Sequence, residues 1–512
     1  MMRRYVLILL FFAVLLVPVV LRRFMVHGQS SAASGLRLVI ITPDNQDIRR
    51  EFARAFDRWH REKYGVGVTI DYRTPGGTND IERQLISTYA VYRDRAGKLP
   101  EDVPADIDVL FGGGDFSFDQ LKAIGLLQPM HLDPALLRTA FPSSALAGVR
   151  LYDKNLDASG APAPRWVGAC LSGFGIIYNP DLYQTLQLPP PRTWHDLTDP
   201  RLNGFIGLAD PSHSGSVAAA LMIVLQRAMA DAEQELFTTE PRFVTMPAAQ
   251  RKKDPEYQAA IPRGWKRGMR DLTLIAANAR YFTDSAEIVP TDVSRGEAAA
   301  GMAIDFYAHV TEDVVGPARA RFVLPPHATA ITPDPVAILT GVKGERLELA
   351  MHFVEFVLSK QGQLLWALPV GAPDGPTVRA LLRPPIRQDV YADRRGWESL
   401  GDPFTEAGNF NQRGEWMALF TDCRMIWVAA WIDSRDELKK AYASVLSEPD
   451  PTLRAALLEK FSDLPIEMKD VAAMSAQRAA QPPEQLDLWR ARERIRWAQR
   501  FREHYRAVEE RK

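Results

Sequence analysis

Residues 36–85 read LRLVIITPDNQDIRREFARAFDRWHREKYGVGVTIDYRTPGGTNDIERQL. Leu36 to Thr42 is a short apolar run rich in β-branched residues, which predicts a strand. Ile48, Phe52, Phe56 and Trp59 then recur at helical spacing through Gln46 to Tyr64. Val66 to Tyr72 alternates as a second strand, a Pro-Gly-Gly turn follows, and Asn79 to Val91 is again helical. Working outward, Ile107 to Phe111 (IDVLF) makes a third strand that ends in Gly112-Gly113-Gly114-Asp115. Strand and helix alternate with short connections, the pattern of an α/β unit with a mainly parallel sheet.

The chain has 512 residues, 46% hydrophobic and 24% charged, enough to bury a sizeable core and to divide into two or three domains. Its 62 Lys and Arg nearly balance its 63 Asp and Glu, so it lacks the basic footprint of a nucleic-acid binder. The N-terminus carries an uncharged run from Tyr5 to Leu21, about seventeen residues against the roughly twenty that span a bilayer. This is an export signal or a membrane anchor; Arg22 and Arg23 directly after it favour an uncleaved anchor, and Pro18 argues mildly against one. Gly28 to Gly35 reads as a flexible spacer. Cys170 and Cys423 are the two cysteines, either a disulfide pair or two small buried hydrophobes.

Further along, Lys154 to Pro164 reads as a surface loop, and Trp166 to Tyr178 (WVGACLSGFGIIY) as two β-like runs broken at Ser172-Gly173. A second βα series follows with Phe205 to Leu208, the helix Ser216 to Ala230, an inserted polar loop from Glu240 to Arg263, and the helix Trp265 to Ala279. Ala298 to Asp305 predicts a short strand, Arg321 to Pro325 a return, Pro335 to Leu339 a strand, and Arg346 to Leu358 a helix. Met417 to Trp431 and Glu437 to Val445 read as helices. Glu484 to Lys512 reads as a long amphipathic helix whose interleaved glutamates and arginines form a solvated face.

The turn Thr74-Pro75-Gly76-Gly77-Thr78-Asn79 offers backbone N–H groups at a helix start, where Asn79 and Glu82 match a capping box. Helix starts also attract anions, and two glycines let a ligand approach the backbone. A comparable element, Asp210-Pro211-Ser212-His213-Ser214-Gly215-Ser216, opens the helix of the second series. Two such loops, one per α/β unit, point to a ligand held between them; two ordinary caps are the alternative. Gly112-Gly113-Gly114-Asp115 and Asp305-Phe306-Tyr307 both follow predicted strands, where open α/β sheets place ligands. No dinucleotide fingerprint, P-loop, nucleophile elbow or H-E-x-x-H motif occurs, so neither a catalytic residue, a cofactor nor a metal site is expected. His213 and His309 are candidate contacts by position.

In order, LRLVIITP, GGTNDIERQL, IDVLFGGG, FDQLKAIGLLQP, WVGACLSGFGIIYNPDLY, ADPSHSGSVAAA, VSRGEAAAGMAIDFYAHV and PDPVAILTGVKGERLELAMHFVEFVLSKQGQLLW resemble segments of extracytoplasmic solute-binding proteins of ATP-binding-cassette (ABC) importers. The resemblance covers about Leu36 to Pro373 and is to the type II periplasmic-binding fold, in its ferric-iron, phosphonate and polyamine group. It implies a two-lobed α/β protein with a hinge: lobe one at 36–164 plus 321–385, lobe two at 165–320. Residues 1–35 would be signal or anchor and spacer, and 386–512 a helical extension on lobe two. It implies a periplasmic or cell-surface monomer that hands a small solute to a membrane permease, with no nucleic acid among its partners. The contacts it implies are Thr42, Gly76, Gly77, Thr78, Asp115, Ser214, Gly215, Ser216, Asp305 and Tyr307. Ferric-binding members place two adjacent tyrosines where this chain has Phe306-Tyr307. The lost phenol shifts the expected solute from iron, kept as an alternative, to an organic, phosphorylated or phosphonate-type anion. A membrane-anchored sensor with the same lobes is a second alternative. An enzyme on this fold is a third, and no nucleophile with a base can be named for it.

Overall fold

The computed structural model describes residues 35–94, 96–406, 410, 412–482 and 485–511; the apolar run at 5–21 and the spacer through residue 34 lie outside them. The opening strand β1 (Leu36–Ile41) pairs in parallel with β2 (Val68–Arg73), in register from Leu36 opposite Val68 to Ile41 opposite Arg73, and with β3 (Val109–Phe111). Between them runs α1 (Gln46–Tyr64), as the apolar spacing requires. Asn45 caps it, accepting from the N–H groups of Asp47 and Ile48, and Gly65 ends it at φ 76°, a conformation that glycine adopts without a Cβ clash. Its buried Phe52 and Phe56 meet Trp366 at 4.4 Å and Phe353 at 5.2 Å between ring centroids. Two further helices, α2 (Thr78–Ala90) and α3 (Asp115–Ala123), follow β2 and β3.

The strand expected in two pieces is one continuous element, β4 (Val167–Tyr178), buried along its whole length. The break at Ser172-Gly173 is real in another sense: it is where β4 changes neighbours. Before it, Val167 to Gly173 pairs antiparallel with β9 (Ile331–Ile338). After it, Phe174 to Tyr178 pairs antiparallel with β7 (Ala300–Ile304), and its end also with β8 (Arg321–Val323). A Cβ on Gly173 would lie 3.0 Å from side-chain methyl carbons of both Ile331 and Leu324, so the switch is a tightly packed point at which glycine leaves these side chains undisturbed.

The strand order is β2-β1-β3-β9-β4-β7-β5-β6, with β5 (Ile206–Ala209) and β6 (Ala279–Thr283) at the far end and β8 beside β4. The connections within each end of the sheet are parallel, whereas the strands at the middle are antiparallel because the chain passes from one end to the other and back. Between β5 and β6 stand α4 (Gly215–Thr239) and α5 (Pro255–Asn278). The stretch expected as an inserted loop is therefore mostly helical: the turns Arg242–Thr245 and Ala248–Arg251 lead into α5, which starts at Pro255 with Asp254 as its cap. Proline fits a first helical position, and α5 continues through Pro262 because Tyr257, Ile261, Trp265, Met269 and Leu272 form a buried stripe. Gly264 lets α4 come so near that a Cβ there would fall 2.6 Å from the Ala228 carbonyl oxygen. By length and composition α4 could cross a membrane, but here it is a core helix.

After β7 come α6 (Asp305–Val315) and, beyond β9, α7 (Glu345–Leu358). The turn Gln388–Ala392 packs through Val390 and Tyr391 beside Ala367 and Trp397. Of the later helices α8 (Phe420–Trp427), α9 (Arg435–Leu446) and α10 (Leu486–Glu509), α9 is tied to the end of α5: Tyr442 donates to Asn278 Oδ1 at 3.1 Å, and Lys439 to the Ala277 carbonyl at 2.7 Å. In α10 the side chains of Trp497, Phe501 and Tyr505 are buried and Ile495 is exposed.

Gly301 on β7 tests this packing, since a Cβ there would fall 2.4 Å from Val289 and 2.5 Å from the Gly207 carbonyl oxygen. Gly301→Ala is expected to lower stability by about 1–3 kcal/mol, the usual cost of overpacking. Urea unfolding followed by tryptophan fluorescence should show an earlier midpoint at unchanged slope.

Candidate functional site

Helix starts from opposite ends of the sheet meet at one cavity of about 470 Å³. The start of α2 comes from the first end. Gly76 sits at φ 149°, and Gly77 caps the helix with Asp80 Oδ2 accepting from the Gly77 N–H at 3.1 Å. The expected Asn79–Glu82 capping box is corrected here. The helix begins one residue earlier, at Thr78, so its third position is Asp80 and Asp80 takes the reciprocal role. Asn79 is thereby free to donate, through Nδ2, to the Ser212 carbonyl at 3.1 Å, and Glu82 accepts from Ser117 Oγ.

The start of α4 comes from the other end. Ser214 caps it by accepting from the Val217 N–H at 3.2 Å, and the Ser214 and Ser216 hydroxyl oxygens lie 3.2 Å apart. Asp210 orders the preceding loop by accepting from the Ser212 N–H and hydroxyl at 2.7 and 2.6 Å. The two loops touch: a Cβ on Gly215 would lie 3.5 Å from Thr78, and one on Gly77 only 2.7 Å from the His213 carbonyl oxygen. Glycine at 77 is thus required by the neighbour across the cavity.

Part of the wall is acidic. Asp44, Asp80, Asp115, Asp284, Glu287 and Asp334 all line the cavity. Arg383, fully buried, donates to Asp334 and to Ser172 Oγ, lies 3.5 Å from Asp44, and stacks over the Phe306 ring at 4.4 Å. Burial raises the Asp44 pKa to about 7, against the opposing pull of Arg383. Asp115 is also pushed up to about 7, by burial and then by the nearby Asp119. Burial raises the Tyr307 hydroxyl as well, and Glu287 moves upward through burial and Asp47. Asp44 Oδ2 has no hydrogen-bond partner among the described residues.

Of the residues expected at the site, Gly76, Gly77, Thr78, Asp115, Ser214, Gly215, Ser216 and Tyr307 line this cavity. Thr42 and Asp305 do not. Thr42 is buried behind it, where its Oγ1 accepts from the Asp44 N–H at 3.0 Å, and so presents Asp44 in its place. Asp305 accepts from the Gly173 N–H at 2.6 Å and from the Phe306 N–H at 2.7 Å, which fixes the strand switch in β4. Burial pushes Asp305 up to about 7, with Arg383 opposing. His213 lines the cavity, whereas His309 packs on Phe322 and is lowered to about 4 by burial.

Sequence reasoning missed Asp44, which the first strand's carboxyl end could have flagged, and Asp334, between two prolines with no local signal. It also missed Phe420 and Arg424 on α8, which line the cavity from the C-terminal helices. Cys170 and Cys423 are free and buried. Among the described residues no group of three or more His, Cys, Asp or Glu is placed to hold a metal ion.

A model of the family described as bacterial extracellular solute-binding protein matches residues 107–402, more than half of the chain. The chain belongs to this family. Two curated proteins are similar to parts of the chain. A phosphoglycerate transport regulatory protein of Salmonella typhimurium is 23% identical over 201 residues, 39% of this chain and 40% of its own length. An uncharacterized protein of Haemophilus influenzae is 26% identical over 264 residues, 51% of this chain and 60% of its own. The chain thus spans between two fifths and three fifths of these relatives. Among solved structures, the periplasmic binding protein AfuA of Actinobacillus pleuropneumoniae, with fructose-6-phosphate bound, is 19% identical at a TM-score of 0.48, covering 73% of this chain and 96% of its own. The apo ferric ion-binding protein A of Pasteurella haemolytica is 12% identical at a TM-score of 0.49, covering 79% and 98%. As a solute-binding family its role is in transport, outside the cytoplasm.

Two outcomes test the site's electrostatics. Arg383→Met leaves Asp334 and its neighbours buried without their cation, and should cost about 3–5 kcal/mol in chemical denaturation. Asp44 has a folded pKa above its unfolded value, so its proton favours the folded state, and stability is lost as pH rises from the unfolded value of 3.8 to about 7. Asp44→Asn keeps the shape of the protonated acid. Its melting temperature should gain on the parent protein's as pH goes from 5 to 8; a constant gap in scanning fluorimetry would contradict the assignment.

Proposed function

We propose that this protein is the extracytoplasmic solute-binding component of an ABC importer. It captures a small anionic solute, phosphorylated or phosphonate-type, between two lobes and delivers it to a permease. The observation that carries this reading is the meeting of two helix starts, at Gly77-Thr78 and Ser214-Ser216, on one cavity. Unpaired N–H groups and the positive dipole ends favour negative charge there, and the two serine hydroxyls add donors. The acidic wall suits the other end of such a solute. Asp44, with an unpartnered buried oxygen, and Asp115 are placed to accept from a hydroxyl or amine. The Salmonella relative's name, a phosphoglycerate transport regulatory protein, fits this chemistry of phosphate plus hydroxyl.

The lobes are assigned as the expected 36–164 with 321–385 and 165–320, with the crossings shifted to within β4 and to between β8 and β9, because β8 pairs with the end of β4 that lies beside β7. Solute binds the closed arrangement better and so shifts the population towards it. The Asn79–Ser212 hydrogen bond, from one lobe to the other, belongs to that closed arrangement. The lobes act as a monomer without catalysis, and the apolar run at 5–21 directs export or anchors the chain. A sensor that reports occupancy to a membrane partner is the second reading, favoured by the word regulatory in the relative's name. Iron as cargo finds a single cavity phenol, Tyr307, at the tyrosine-pair position.

Mass spectrometry of natively purified protein identifies the bound solute, and a polyamine or ferric ion would overturn the anion assignment. Ser214→Ala combined with Ser216→Ala should weaken binding of that solute at least tenfold by calorimetry, and unchanged affinity would remove the second helix start from the site.

A further inference from the structure

The family match ends at residue 402, yet the cavity wall continues beyond it with Met417, Phe420 and Arg424. Phe420 and Arg424 are one helical turn apart on α8, so they present one face. Phe420 packs edge-on against Phe116 at 4.8 Å and 84°. Phe116 belongs to α3, whose first residue is Asp115, so this contact runs from the C-terminal helices to the first end of the sheet. Arg424 points the other way: its Nε donates to the Pro211 carbonyl at 3.1 Å, in the loop that leads into the Ser214 helix start. Its guanidinium lies 5.6 Å from the Phe420 ring. Among the described residues no carboxylate oxygen lies within the 4.0 Å of an ion pair with Arg424. Burial holds its pKa below the ordinary arginine value; Glu82 and Asp210 oppose that shift, and Arg83 and Arg490 add to it.

Helix α8 is also built to stay where it is. Asp422, buried, accepts from Arg478 Nε at 3.1 and 3.2 Å, and Arg413 ahead of the helix donates to Glu233 of α4 at 2.7 Å. Arg413 thus ties the segment ahead of α8 to α4, while α8 sets its cavity cation beside the loop of the serine start and its aromatic ring against Phe116.

We infer that the extension beyond residue 402 is a wall of the solute site, in which Arg424 is a specificity-determining contact for the anionic group of the solute. This rests on the anion-binding reading above and adds to it a formal charge that two helix starts alone do not supply. A guanidinium presents paired donors to phosphate or carboxylate oxygens, which suits a doubly charged phosphoryl group over a neutral hydroxyl compound.

The test is calorimetry on the full chain with 3-phosphoglycerate and inorganic phosphate as probes and spermidine as a cationic control. The parent protein should bind a phosphorylated probe. Arg424→Gln should weaken that binding at least tenfold and flatten its dependence on salt. Arg424→Met, which keeps the stem against Phe420, should give the same loss at an unchanged melting temperature. Affinity unchanged in both variants, while Ser214→Ala with Ser216→Ala still weakens binding, overturns the role of Arg424 alone. A parent protein that binds neither phosphorylated probe, or binds spermidine and tightens when Arg424 is removed, overturns the anion reading and this inference with it.

Discussion

The buried guanidinium of Arg383 ties the molecule together at its middle. It joins Ser172 of β4 and Asp334 of β9, the two long strands at the centre of the sheet, and reaches Asp44 at the end of the first βα turn. A cation without solvent needs such partners, and the carboxylates need the cation. Phe306 and Trp366 close over its faces. The strand switch, the acidic wall and the return of the chain after residue 375 are therefore one electrostatic unit. The same unit holds Asp44 beside the cavity with an oxygen to spare.

The second organising feature is the contact between loops more than 130 residues apart. Asn79 reaches the Ser212 carbonyl, Thr78 lies against Gly215, and Gly77 leaves no room for a side chain beneath the His213 carbonyl. Each loop is an ordinary helix start by its local chemistry. Brought together, they become a single donor-rich surface, and a third element, α8, covers it with an aromatic ring and a cation.

Much of the fold was legible because it is local. Apolar period and capping residues located β1, α1, β2, α2, β3 and α7 to within about two residues. Ser172-Gly173 was legible as a discontinuity, although what changes there is the pairing partner rather than the strand itself. The stretch at 240–263 misled because its polar surface and prolines mimic a loop, while its residues from Pro255 onward belong to a helix whose stripe becomes evident only with α4 beside it. Thr42 and Asp305 were read as contacts from their positions after strands. Their side chains instead satisfy backbone N–H groups at Asp44 and Gly173, a choice that buried hydrogen bonding makes and residue type does not reveal.

By itself the sequence determined the α/β alternation, the two Gly- and Ser-bearing helix starts, and the kinship with solute-binding proteins, because period, capping and turn chemistry act over a few residues. Tertiary structure decided that the two starts face each other, that Arg383 gathers carboxylates from distant segments, and that α8 stands over the cavity. Those arrangements depend on burial and on partners hundreds of residues away, so no local pattern encodes them. Arg424 is the clearest case: in the chain it is one arginine on an apolar helix, and only the tertiary fold, which brings it within reach of the Pro211 carbonyl, sets it beside the loop of the serine helix start.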